Sequence, residues 1–338
     1  MRRGWALPAN RLPLWRGPPL NGRRVQTVAG TAGDVHLGGM EAAPSLHRAL
    51  ARWNARRLTP SVPNQDWREV LVEDAALALR EGEWIEQERV AVASLVAGVP
   101  TNPEGFVRWF EALREHGPGQ GDRLFQWLAR EADVVQMRWF LGQELAGEAG
   151  FDDLVALTQL KLPERPKLEL ARNYWDEMGR GRGEGMHGPM LSRLATALGV
   201  PHPGLEAVWE ALALSNLLVG LACNRRYAWL SVGALGVIEL TAPDRAAKVD
   251  AGLRRLGVAG KARLYFALHS TLDRQHSEAW NREVLHPLVR EEPSRAVLLA
   301  EGALLRLRAG QRCFDRYRQE LGLEGARPES AAVADARQ

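Results

Sequence analysis

Leu268-His269-Ser270-Thr271-Leu272-Asp273-Arg274-Gln275-His276 lies inside a helical run that begins near Ala262, and its polar residues decide how the rest of the chain is read. At about 100° per residue, His269, Asp273 and His276 fall within an arc of about 60° on one helix face. Two imidazoles and a carboxylate on one face are the donor set that iron, manganese or zinc takes from a wall of a helical bundle. A solvated helix face can carry the same letters. The stretch alone therefore leaves a metal site and a plain surface both open.

Helical spacing continues on either side. Ser45 can cap a helix to about Arg57, Asp66 can cap the next, and Trp84 to Ala97 is again amphipathic. Asn102-Pro103 is a cap followed by proline at the first helical position. A long helix is expected from about Asp122 to Leu145, a short one from Phe151, one from Pro166 to Met178, and one from His187 to Gly199. Two apolar helices follow, Leu205 to Asn224 and Ala228 to Leu240; Thr241-Ala242-Pro243-Asp244 then reads as a capped restart, and a last helix spans Ser294 to Leu321. Strand alternation, hairpin dipeptides and repeats are absent. The expected fold is all-α. Residues 1–39, rich in Arg, Gly and Pro, read as a disordered tail or an upstream extension, 40–325 as one helical domain, and 326–338 as a flexible tail.

Composition narrows the function classes. Among 338 residues, 44 Lys and Arg are interleaved with 41 Asp and Glu, which argues against a nucleic-acid surface. The most apolar stretch, Ala211 to Ala242, is broken by Asn216 and by Asn224-Arg225-Arg226, so no membrane span is expected. No apolar core follows Arg2-Arg3, so no export signal is expected. Two cysteines, Cys223 and Cys313, are too few for a disulfide framework; a reduced, cytoplasmic protein is the expectation.

Acidic residues in apolar surroundings need a reason, because burying an unpaired carboxylate costs several kcal/mol. Glu239 is the only ionisable charge between Tyr227 and Pro243, unless it merely marks an exposed helix end. Glu177 closes a helix, where the dipole disfavours an acid. Glu131 sits in an apolar stripe with Leu124, Phe125 and Leu128. Glycines at 179, 181, 183 and 185 separate Glu177 from His187. On a continuous helix those two side chains would diverge by about 80°, so they meet only if the glycines break it. His187, His269 and His276 with Glu177, Glu239 and Asp273, and Glu131 as a further candidate, bring three or four negative charges, nearly balancing the four positive charges of two divalent cations.

These residues resemble the heme-oxygenase-like diiron oxidase superfamily, the iron-containing redox enzymes. The resemblance covers about residues 100–290 and rests on Ala171 to Gly179, Met186-His187, Glu239 and the closing His269, Asp273, His276 motif. It implies a heme-free bundle of about seven core helices, with extra N-terminal helices between Ser45 and Val99. Two iron ions would react there with O2 and oxidise a small amine, amino acid or acyl substrate. Carried over by position, Glu177, His187, Glu239, His269, Asp273 and His276 are the expected ligands. Glu131 is an additional one, as in some members, and Asp176 would orient a ligand through a hydrogen bond. Expected partners are a small-molecule substrate, an external electron donor and a second copy in a homodimer. The rival readings are a one-metal or cofactor-free enzyme of the same fold and a helical binding protein. Trp127, Trp139, Tyr174, Trp175 and Trp280 are candidates to line a cavity, although aromatic stripes at helical spacing are more often core.

Overall fold

The computed structural model describes residues 43–63, 66–148, 150–200 and 204–323, so the expected tails and the domain ends placed at 40 and 325 lie outside the described residues. Within them the fold is all-α, with one isolated antiparallel bridge, Met178 to Met186.

Helices α1 (Ala43–Leu58) and α2 (Trp67–Val92) open the chain; the two runs expected from Asp66 and from Trp84 are one helix. Both pack on the chain's own bundle. Arg57 pairs with the buried Glu81, Arg89 with Glu301 and Arg312 with Glu88. Helix α3 (Pro103–His116) starts as its sequence predicts, with the Asn102 side chain accepting from the Gly105 amide.

The long helix expected over 122–145 is instead two, α4 (Arg123–Arg130) and α5 (Val134–Gly147). Asp133 accepts from the amides of Val135 and Gln136, and Gln136 reaches back to the Asp133 amide. This reciprocal cap starts a new helix where periodicity alone suggests continuity. Helices α6 (Phe151–Thr158), α7 (Glu164–Glu177), α8 (His187–Leu198) and α9 (Trp209–Cys223) follow, α8 being closed by Gly199 at φ 63°.

Helix α10 (Ala228–Arg255) does not stop at Leu240 but runs through Pro243. The proline forfeits the hydrogen bond to the Glu239 carbonyl four residues back and crowds that carbonyl. Pro243 itself is buried with Glu239, Leu240, Thr241 and Ala246, and packing of this segment offsets the loss. The chain then forms α11 (Leu264–Trp280), a π turn (Asn281–Leu285), α12 (His286–Glu291) and α13 (Arg295–Glu320).

Helices α9, α10 and α13 form the centre. Asn216, the polar interruption in α9, is buried and satisfied: it donates to the His47 carbonyl at 2.9 Å and accepts from Asn54 at 2.8 Å. Helices α10 and α13 meet glycine against backbone. A Cβ on Gly233 would lie 1.9 Å from the Leu299 carbonyl oxygen, and one on Gly302 would lie 1.8 Å from that of Leu230. The pair lets the two helices touch along their backbones. It fixes α10, which carries Glu239, against the rest of the core.

Candidate metal centre

The loop between α7 and α8 brings Glu177 and His187 together. Gly179, Arg180 and Gly181 all take positive φ (61°, 54° and 80°), and the Met178–Met186 bridge closes the turn. His187 Nδ1 lies 2.7 Å from Glu177 Oε2, so the glycines do break the helix and juxtapose the pair. Only some of these glycines are required. A Cβ on Gly179 would sit 2.3 Å from the Gly185 carbonyl carbon, whereas one on Gly183 would touch nothing within 4 Å. Gly179→Ala is accordingly expected to weaken Fe(II) binding about tenfold or more, the size of effect seen when ligands lose their support. Gly183→Ala should match the unaltered protein in the same anaerobic titration; equal affinity in both variants would remove the loop from this account.

Helix α11 supplies His269, Asp273 and His276 on one face, as its spacing predicts, and α10 supplies Glu239. Donor atoms of Glu177, His187 and His269 lie within 4.8 Å of one another, and so do those of Glu177, Glu239 and His276. The two triads share Glu177. Asp273 is buried beside them and faces Glu239 and Glu177.

Hydrogen bonds orient most of these groups. Asn173 donates to Glu239 Oε1 at 2.6 Å. His269 Nδ1 is 2.7 Å from the Tyr265 carbonyl, which leaves Nε2 free to face a cation. His276 Nε2 is 3.1 Å from Asp176, while its Nδ1 faces Glu239 at 3.5 Å. Asp176 therefore bonds the His276 imidazole from outside the two triads.

The electrostatics are those of carboxylates crowded away from water. Burial, and then the neighbouring Glu239, raises Glu177 and Asp273 well above the usual carboxylate range. Burial lowers His187 and His269 to about 4, keeping them as the neutral imidazoles that bind metals. Burial also opposes the charged form of His276, but Glu239 and Asp176 overcome it and raise the ring to about 9. Oδ1 of Asp273 is buried without a hydrogen-bond partner, and the buried Nδ1 atoms of His187 and His276 face the carboxylates of Glu177 and Glu239 without hydrogen-bond geometry. Buried polar atoms are nearly always paired. Three buried atoms left without a hydrogen bond in one carboxylate–imidazole cluster fit a bound cation, and the donor set suits iron.

Glu131 is not part of this cluster. It lies exposed at the end of α4, and the break at Asp133 puts it out of phase with the helix that borders the site. Glu144 and Glu148, which belong to neither donor triad, line a cavity of about 140 Å³ together with Glu177, Glu239, His269 and Asp273. Tyr265 donates to Glu148 at 3.2 Å; burial, with Glu177 next, raises the Glu148 carboxyl to about 7. Two glutamates four residues apart in the run Phe140 to Glu148, whose one other polar side chain is Gln143, were the available signal. The aromatic walls are Phe125, Phe151, Tyr265 and Phe266. None of the five aromatic candidates lines the cavity: Trp280 is core, and Trp175 is half exposed on the outer side of α7.

An all-α bundle with a buried carboxylate–imidazole cluster shared by four helices, two of them joined by a glycine-rich loop, defines a class of metal-dependent helical proteins. The sequence matches the family described as iron-containing redox enzyme over residues 138–311, more than half of the chain, and the chain belongs to that family. The matched span includes the whole cluster and excludes Glu131. No curated protein matches the chain. Among the described residues, no helix is long and apolar enough to cross a membrane.

Proposed function

We propose that the chain is a heme-free diiron oxygenase or oxidase that uses O2 to oxidise a small amine, amino acid or acyl substrate. The observation that carries this reading is the pair of donor triads that share Glu177. Glu177, His187, Glu239, His269, Asp273 and His276 would hold two iron ions, which would supply redox chemistry with O2. The protein's own part is placement. Asn173 turns Glu239, Asp176 turns His276, and the Tyr265 carbonyl fixes the tautomer of His269, so that lone pairs converge without reorganisation. Phe151, Phe266 and Leu191 give the adjoining cavity an apolar wall beside its charged groups. That cavity compares with an engineered void of about 150 Å³ that holds benzene, which supports a small substrate and no macrocycle. The free thiols of Cys223 and Cys313 support a reducing, cytoplasmic setting, where an external electron donor is at hand.

The test is anaerobic loading with Fe(II) and a count of iron, followed by exposure to O2. Two irons per chain and a transient visible band are expected, with His269→Ala lowering the count. Less than one iron per chain, unaffected by His269→Ala, would sink the reading.

A further inference from the structure

The cavity has a second polar wall that the metal ligands do not explain. Arg245 from α10 and Arg306 from α13 both border it. Other arginines near the core are spent: Arg57 on Glu81, Arg263 on Asp250, and Arg225 on the carbonyls of Leu157, Thr158 and Leu160. Arg245 and Arg306 make no hydrogen bond and no ion pair among the described residues, and Arg306 Nε is buried without a partner. Glu144, the carboxylate that both face, pairs with neither. Burial, and then the charge of Arg306, pushes the Arg245 guanidinium down to about 10. Arg245 is held by aromatic rings instead, its Cζ 5.9 Å from Phe125 and 5.7 Å from Phe314.

Leaving two guanidinium groups unpaired in a water-poor cavity is unfavourable, and each presents a planar fork of donors that matches a carboxylate. Charge points the same way. Five carboxylates (Glu144, Glu148, Glu177, Glu239 and Asp273) border the cavity with two arginines, a net of three negative charges when all are ionised. Two divalent cations reverse that to one positive charge. The loaded cavity is then short of one anion, and its unspent donors are on Arg245 and Arg306.

We propose that Arg245 and Arg306 bind the carboxylate of the substrate, so that the cavity takes a small organic acid, such as a short acyl acid or a small amino acid, with its carboxylate on the arginine wall. Simple amines are excluded. This rests on the oxidative reading of the adjoining cluster but is tested by binding, without turnover.

Hexanoate, hexan-1-ol and hexylamine are titrated calorimetrically into the anaerobic Fe(II)-loaded chain, with the iron content of every sample measured. Hexanoate should bind at least tenfold more tightly than the alcohol. Arg245→Met and Arg306→Met should each weaken hexanoate by about 10- to 100-fold, the loss expected for a charge-assisted hydrogen-bonding pair. Binding of the alcohol and the iron content should not change, and Arg245→Lys should recover part of the loss. Hexylamine binding best, or hexanoate binding equally to the unaltered chain and both Met variants, overturns the proposal; the latter outcome would place the carboxylate on the metal. If the chain takes up no iron, hexanoate binding that is still lost in Arg245→Met sustains the anion site while the iron reading fails.

Discussion

Replacing Asp273 by Asn is expected to make the metal-free chain more stable while lowering its iron content below two per chain. Asp273, Glu177 and Glu239 crowd together out of water, and Asp273 Oδ1 lacks a hydrogen bond. The opposing attraction to Arg245 is the smallest of the influences on it. Its folded-state pKa is raised well above 3.8, so the folded chain holds this proton at pH values where the unfolded chain has released it. Stability is therefore full below about pH 4 as far as this group is concerned, and is lost as pH rises from there through the folded pKa. At neutral pH asparagine removes that loss. A gain of roughly 1–2 kcal/mol is expected, the usual scale for relaxing a strained functional site. Urea melts of metal-free protein at two pH values check both claims: the variant should melt later at pH 7, with a smaller pH slope. If it melts earlier, crowding of like charges does not dominate this site.

The second large effect is expected far from any chemistry, at the crossing of α10 and α13. In Gly302→Ala and Gly233→Ala the new methyl group meets a backbone carbonyl at under 2 Å, and no side-chain rotation relieves it. The helices must separate. Overpacking of this kind costs about 1–3 kcal/mol and occasionally more, and a backbone obstacle on a buried helix belongs at the upper end. Gly82→Ala in α2 is the internal control, since a methyl group there touches nothing within 4 Å. It should be neutral, or stabilising by about 0.5–1 kcal/mol, because alanine costs less chain entropy in a helix. Thermal denaturation of the three variants separates the two cases; similar losses in all three would mean that glycine at the crossing is not what holds α10 close to α13.

The carboxylate–imidazole cluster was legible because its letters are rare and their spacing is tied to helix geometry. His269, Asp273 and His276 share a face on any α-helix, and Glu239 stands alone in an apolar run. Phase across a break was not legible. The cap at Asp133 resets the helix, so the periodic stripe that includes Glu131 does not continue into α5, and Glu144 and Glu148 face the cavity instead. Pro243 misled in the opposite sense: local chemistry says stop, but a helix buried on both sides keeps going. Arg245 and Arg306 were invisible because a charge on a helix is by default a surface residue, and only packing shows which charges face inward. The glycine-rich loop was half legible. Its break was readable in the alternating glycines; which glycine carries the turn depends on the contact between Gly179 and Gly185.

The bond between Asp176 and His276 joins residues 100 positions apart, and that between Asn173 and Glu239 spans 66. Contacts of such long range form only after most loop-closure entropy has been lost, so they belong late in folding. A nascent or partly folded chain thus has the histidines and carboxylates but not the cage. A metal that binds the finished bundle and not its precursors pulls the equilibrium toward the folded state by mass action. In kinetic terms, iron in this protein would be a latch fitted after the walls are up, slowing unfolding and leaving the folding rate unchanged.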